Sequence, residues 1–543
     1  MKTCGDCKRV VNNHRRAIFN SAPRLFTIPC DGVPGALSCN EIPMPGTPRG
    51  RLSLDFLLTA ILVLCIVRLW LMPLPSSFWV DEMGTAFVVR HGANDPTLRA
   101  APQVADSIYY ALPKLVDRVA GPSEAGYRLF SLLAMAGTLA AIAGIAARLI
   151  DPRAAWIAVF ACMAFKQFNY QAADARPYAL GSLVLACAVL LLIRWLDSGR
   201  MRDGLFFAAT ASLLWWVHLI FWPFYLLFAL YAGFRIFTGQ TAVGWLQSLT
   251  VFAGVAAAVL PVAIRSLALL RQAGSHVVAQ APRFSDLSAE LKIGAITGAC
   301  TIAFLVSRYF GWRSPRVSAS AASVLLIAGW WLIDPLALYG FSLVTGASVF
   351  ISRYMYLAVP GATLMAILVA SLLVPPEQWK KFACGVGLAV LLLGGRWNRV
   401  WPTHHDSDWR SAAAALRQWT GSADVPVICP SPFIEARPPV WRPDYPTSGF
   451  LYAHLSIYRI GGHIYPFPFE TSQPVETYAR ELSVEKLSRA SRFAIYGGDR
   501  AVIFWRGWLA QRPELIGWNN RVLGQFGDVE IAVFSAPETL AVN

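Results

Sequence analysis

Eight polar side chains are set into an otherwise apolar sequence in a way that could do chemistry. They are Asp81 and Glu82 in FWVDEMG, Asp174, Arg176 and Tyr178 in AADARPYAL, His218 in LWWVHLIFW, and Arg353 with Tyr354 in ISRYMYLAVPG. A positioned carboxylate can take a proton from a hydroxyl or an amine, while arginines and tyrosines hold phosphate oxygens through charge-assisted hydrogen bonds. The mixture suits transfer of a group from a phosphate-bearing lipid to a hydroxyl or amine.

The elements that must position these residues are written for hydrocarbon. Of the 543 residues, 56% are hydrophobic and only 15% are charged, with a mean hydropathy of +0.47. An ordinary soluble chain carries far more charge. Apolar runs long enough to cross ~30 Å of bilayer as helix recur along most of the sequence. They lie near 54–72, 128–150, 155–171, 178–195, 205–219, 221–237, 245–270, 290–308, 318–339, 355–374 and 381–396. The expectation is therefore an all-α polytopic membrane protein of about eleven helices.

Basic residues give the orientation, because Lys and Arg stay on the cytoplasmic side. Arg148 and Arg153, Arg194 to Arg202, Arg235, Arg308 to Arg316, and Lys380 with Lys381 all fall in alternate connections. These are cytoplasmic together with the N-terminal tail, and an odd number of spans carries the C-terminal segment to the other side. The net charge of +15 follows largely from this topology, and no nucleic-acid role is needed to explain it.

The first 50 residues lack the apolar core of a secretory signal and read as a disordered cytoplasmic tail, with Met44 as an alternative start. Cys4 and Cys7 have zinc-ribbon spacing, which Cys30 and Cys39 do not match. Cys65, Cys162, Cys187, Cys300 and Cys384 fall in apolar spans as small packing residues, and Cys429 stands alone in the exported part, so no disulfide framework is expected there. From about Trp397 the pattern turns soluble: strand-like VPVIC, RFAIYGG and VEIAVFSA alternate with helix-like WRSAAAALRQW and VEKLSRASR. The expectation is a smaller mixed α/β extracytoplasmic domain over 397–543, after a membrane module over 51–396 whose first exported loop is 73–127.

With that topology, all four polar interruptions fall on the exported face. An ionisable residue near hydrocarbon costs on the order of 2.5–3.5 kcal/mol, so such groups usually line a cavity and pair there. In their order, spacing and common sidedness, FWVDE, ADARPYAL, the histidine after the fifth span, SRYMYLAVPG and an exported C-terminal domain resemble a known group. These are the polyprenyl-phosphate-sugar-dependent GT-C glycosyltransferases, namely the bacterial relatives of protein O-mannosyltransferases and the lipid A aminoarabinose transferases. The likeness covers roughly residues 54–420. Where relatives commonly carry a hPPLyy-like stretch, this chain has APQVADSIYY.

The resemblance implies an inverting transfer at the outer face of a cell inner membrane, with Asp81 as general base. Glu82 would orient the acceptor or pair with an arginine. Arg176, Arg353, Tyr178 and Tyr354 would hold the donor phosphate, and Asp174 and His218 are candidates for substrate contact. Some relatives bind a divalent metal ion and others need none, and the polyprenyl-phosphate sugar is a substrate rather than a cofactor. The partners would be that lipid and a glycan, lipid or protein acceptor. Ordinary alternatives stand beside each residue: a solvated loop pair for Asp81 and Glu82, interfacial anchors for the arginines, a structural turn for Asp174 with Arg176, and the aromatic belt for the tyrosines. His404, His405, Asp406 and Asp408 in THHDSDW read as a polar exit segment, because adjacent loop residues rarely aim at one ion. A ligase moving a whole glycan is a close rival, and a secondary transporter or lipid flippase a more distant one, since transporters place their charges near the midplane.

Overall fold

A computed structural model describes residues 53–272, 280–312, 319–346, 348–395 and 401–537. The N-terminal tail, with Cys4, Cys7, Cys30, Cys39 and Met44, lies outside the described residues. The first helices are α1 (Leu54–Ile66, continued by a π-helical turn Val67–Leu71), α2 (Val80–His91), α3 (Ala111–Ala120) and α4 (Glu124–Leu149). There follow α5 (Ala155–Met163), α6 (Lys166–Tyr170), α7 (Tyr178–Ser198), α8 (Met201–Val217), α9 (Pro223–Phe237) and α10 (Trp245–Gln272). The membrane half ends with α11 (Phe284–Glu290), α12 (Ile293–Tyr309), α13 (Ala321–Thr345), α14 (Val359–Ala370) and α15 (Trp379–Leu393).

Among the described residues, seven helices are long and apolar enough to cross a membrane, and the bent pair α11 and α12 would make eight. This is fewer than the eleven expected from composition. The stretches 155–171, 205–219 and 381–396 hold helices of 9, 17 and 15 residues. At ~1.5 Å per residue these fall short of ~30 Å. Chain breaks explain two of them: Phe165 is extended after α5, and His218 is extended after α8, where its Nδ1 accepts the Ile220 N–H at 3.2 Å.

Serine caps start the long helices. Ser53 accepts the Phe56 N–H of α1 at 3.2 Å, and Ser123 accepts the Gly126 N–H of α4 at 3.1 Å. Gly361 lets α14 lie directly against α13, since a Cβ there would meet the Trp331 nitrogen at 2.3 Å. The interior is packed with Trp70, Phe160, Trp195 and Trp330, with Cys65 and Cys162 as small fillers, while residues such as Phe237, Leu246 and Val344 lie exposed on the outside.

The C-terminal half comprises α16 (Trp409–Thr420), β1 (Pro426–Pro430), α17 (Ala453–Ile457), β2 (His463–Phe467), α18 (Gln473–Leu482), β3 (Arg492–Gly498), α19 (Asp499–Ala510), β4 (Asn519–Val522) and β5 (Val529–Ser535). Its five strands form one sheet in the order β2-β1-β3-β5-β4. β1 runs parallel to β2 and β3, and β5 is antiparallel to β3 and β4. VEKLSRASR carries only a π-helical turn, Ser483–Leu487, because the helix of that region lies just before it as α18. Cys429 is buried in β1.

Two apolar cores result. One is the membrane bundle. In the other, Phe78, Met83, Phe87, Tyr109 and Tyr127 of the connection between α1 and α4 pack with Trp409, Phe450, Tyr452 and Ile495 of the C-terminal half. The loop that carries Asp81 thus belongs to the C-terminal half by packing and to the membrane half by chain connection.

Candidate active site

Trp79 is extended and begins α2, so Asp81 and Glu82 occupy the first helical turn, where the helix dipole favours negative charge. Glu82 turns inward. Its Oε1 accepts Arg128 Nε and the Ala175 N–H, each at 2.7 Å, and its Oε2 accepts Arg128 Nη2 and the Trp79 N–H at 3.3 Å. Both partners of this ion pair are fully buried. Arg128 also donates to the carbonyls of Leu74 and Ser76 at 2.7 Å and of Ser77 at 3.2 Å, so it stitches the exit of α1 to the start of α4.

Asp81 turns the other way. Its Oδ2 accepts Arg353 Nη1 at 2.6 Å, and its backbone carbonyl accepts Arg176 Nη1 at 3.3 Å. The Arg353 and Arg176 guanidinium groups lie 5.3 and 5.6 Å over the rings of Tyr354 and Tyr178. Tyr178 packs against His218 at 5.2 Å and Tyr354 at 5.9 Å between ring centroids. Six of the eight residues read from the sequence therefore form one cluster: Asp81, Arg176, Tyr178, His218, Arg353 and Tyr354. Burial, helped by the two guanidinium charges, pushes the His218 imidazole down to about 3, so it is neutral. Arg176 Nε and the Tyr178 hydroxyl are buried, and the Arg176 guanidinium lies close enough to the hydroxyls of Tyr178 and Tyr110 to interact with both.

Asp174 stands behind this cluster with Glu82. It is buried, its Oδ1 accepts Trp79 Nε1 at 3.0 Å, and burial raises its carboxyl to about 6. A cleft of about 880 Å³ runs past it. Its lining is part apolar, with Leu69, Met163, Ala389, Val390 and Leu393, and part polar, with Lys166, Asn169, Asp174, Tyr178 and Arg353.

Two partners of the site escape a reading by local pattern. Arg128 opens an apolar span and looks like an interfacial anchor, yet it is the buried counter-ion of Glu82. His404, in the stretch read as a polar exit segment, lines the cleft with its Nε2 3.5 Å from Asp174 Oδ1. The only available signal was the run of polar residues THHDSDW itself.

Glu82, Asp174 and His404 each offer a ligand atom within 4.8 Å of the others. This set does not fit a divalent cation. The two oxygens of Glu82 already accept four hydrogen bonds, their full lone-pair complement, and one Asp174 oxygen is taken by Trp79. That leaves His404 and part of Asp174, fewer donors than a protein-held divalent site uses.

No family model matches the chain, and no curated protein matches it. Solved structures do show a likeness. ArnT from Cupriavidus metallidurans bound to undecaprenyl phosphate aligns over 89% of this chain and 98% of its own at 9% identity and a TM-score of 0.46. Its apo state aligns over 88% and 97% at 8% identity, with the same score. The Archaeoglobus fulgidus oligosaccharyltransferase in complex with Zn and sulfate aligns over 81% and 68% at 12% identity and a TM-score of 0.35. At scores this low the likenesses carry no weight for function, which has to come from the side chains themselves.

Proposed function

We propose that this chain is an integral membrane glycosyltransferase. It moves a sugar from a polyprenyl phosphate to a hydroxyl or amine on the extracytoplasmic side of a cell inner membrane, with inversion at the anomeric carbon. The observation that carries the reading is the cleft with a mixed lining, whose apolar side chains suit a prenyl chain and which offers Lys166, Arg353 and Tyr178 to a phosphate. Its volume is within the range of ordinary ligand sites, about 300–1,000 Å³.

In this reading the Asp81–Arg353 ion pair is a resting state. The incoming phosphate competes for the Arg353 guanidinium, and Asp81 is released as it is needed. Its carboxylate takes the acceptor proton while the acceptor oxygen or nitrogen bonds to the anomeric carbon. The bond from that carbon to the phosphate oxygen breaks, and polyprenyl phosphate leaves with the electron pair. Arg353, Arg176 and Lys166 stabilise the charge gathering on the leaving phosphate. Glu82, saturated by Arg128, holds the turn in place and takes no proton. His218, being neutral, and Tyr354 offer hydrogen bonds to sugar or phosphate.

The test is transfer of labelled sugar from a panel of synthetic polyprenyl-phosphate sugars by the purified full chain in lipid. Turnover of at least one donor, with the product anomer opposite to that of the donor, is expected. If no donor is used and labelled lipid instead crosses the bilayer, the reading gives way to a lipid transporter.

A further inference from the structure

From Trp401 onward, the segment that leads into the C-terminal half is tied to the chain between α1 and α2 at three points. Trp401 Nε1 donates to the Met72 carbonyl at 2.7 Å, the His404 N–H to Ser76 Oγ at 3.2 Å, and the Arg410 N–H to Ser77 Oγ at 3.3 Å. The chain leading into α2 is thereby tied to the chain leading into the exported domain. On the cleft side, the His404 ring packs on Tyr170 at 4.1 Å, and His405 stacks on Trp79 at 5.4 Å with the rings 5° from parallel. His404 Nε2 is buried, without a hydrogen-bond partner, and 3.5 Å from the Asp174 oxygen that accepts Trp79 Nε1.

We propose that His404 is a positioning residue of the transfer reaction, acting through Asp174 and Trp79 on the turn that presents Asp81 to the donor. This inference rests on the glycosyltransferase reading. A buried ring nitrogen without a partner is unfavourable, and a shift of about half an ångström brings it within ordinary hydrogen-bond distance of Asp174. One proton then satisfies both groups. Burial raises Asp174 to about 6 and lowers His404 to about 3, so near neutral pH the carboxylate is largely ionised and the neutral imidazole, as its Nε2–H tautomer, donates to it. Charged or titratable groups acting on the pair include Asp81, Glu82, Arg128, Arg176 and His405, together with Tyr109 and Tyr170. The chain His404, Asp174, Trp79 ends two residues from Asp81, so docking of the exported half sets the register of the base.

The experiment uses the full chain in lipid and compares the wild type with His404→Phe, which keeps a ring on Tyr170 and removes Nε2, and with His404→Gln, which can still hydrogen-bond Asp174. Three quantities are read: kcat, donor KM, and backbone hydrogen exchange over residues 76–90. The expected result for His404→Phe is a fall in kcat of about tenfold at unchanged donor KM, since small misplacements of a reacting group cost rate rather than binding. Faster exchange confined to the first turn of α2 is expected with it. His404→Gln should recover most of both, and adding Asp174→Asn to His404→Phe should cost little more. Wild-type transfer with no change of kcat or exchange in His404→Phe overturns the proposal. If the wild type transfers nothing, the glycosyltransferase reading fails by itself; faster exchange in His404→Phe then still supports the mechanical link to Asp81, and unchanged exchange removes that too.

Discussion

Replacing Asp81 with asparagine separates two roles that one ion pair combines. The Asp81 carboxylate accepts Arg353 Nη1 at 2.6 Å, and the two side chains are 24% and 39% exposed, respectively. A pair this open to water is worth ~0.2–1 kcal/mol, which is the energy a donor phosphate must overcome to capture the guanidinium. Asparagine removes that competition, so the affinity for polyprenyl phosphate should rise by about 1.4- to 5-fold, the same energy expressed as a ratio at 25 °C. Catalysis should move the other way. A positioned base typically contributes ~10²–10⁴ in rate, and kcat should fall by at least the lower figure. Binding of labelled polyprenyl phosphate and single-turnover transfer, measured on the same lipid-embedded preparation, read the two effects independently. Weaker lipid binding in Asp81→Asn, or transfer within tenfold of wild type, would refute the reasoning, since a base lost from the reaction cannot cost so little.

Glu82→Gln and Arg128→Met each leave one buried partner without its counter-charge and should destabilise the chain by ~3–5 kcal/mol, read as a loss of thermal stability in detergent, with the double replacement less harmful than the two losses combined. His454 is buried among Trp409, Tyr452 and Tyr496 with both ring nitrogens unpartnered, and burial holds its imidazole down to about 3. Its folded value lies below its unfolded value of ~6.5, so the stability it leaves intact above pH 6.5 is lost as pH falls toward 3, by up to ~1.4 kcal/mol per pH unit. His454→Phe should flatten that acid limb in pH-dependent unfolding, and an unchanged limb would sink the assignment. Because Glu82 has no lone pair to spare, transfer activity should survive dialysis against a chelator, and a loss restored only by added divalent ion would show that the Arg128 pair opens to admit one.

The long spans were legible because hydrocarbon demands an unbroken apolar stretch of one length, and the sequence supplies it. The stops inside three further apolar stretches were not, because apolar residues are demanded equally by packing inside a bundle, and composition does not mark where a helix stops. The stops at Phe165 and His218 are single backbone conformations. Site residues that interrupt apolar runs stood out, and the cluster of Asp81 with Arg353 joins segments far apart in the sequence. Their partners did not stand out. Arg128 sits where an anchor would sit, and His404 lies in a run of polar residues with no apolar contrast around it. Each finds its partner only through tertiary packing, which no local pattern encodes.

That difference also explains why two carboxylates stand side by side. Successive side chains on an α-helix diverge by ~100°, so Asp81 and Glu82 cannot serve one atom. In the first turn of α2 the divergence sends Glu82 into the protein, where Arg128 and the N–H groups of Trp79 and Ala175 consume it, and sends Asp81 toward Arg353 at the edge of the cleft. A buried charge pair is a poor source of net stability but fixes geometry well, because either partner alone is costly. The inner carboxylate is therefore suited to aim the outer one. The pair is better understood as one anchored turn with a single reactive end than as two catalytic acids.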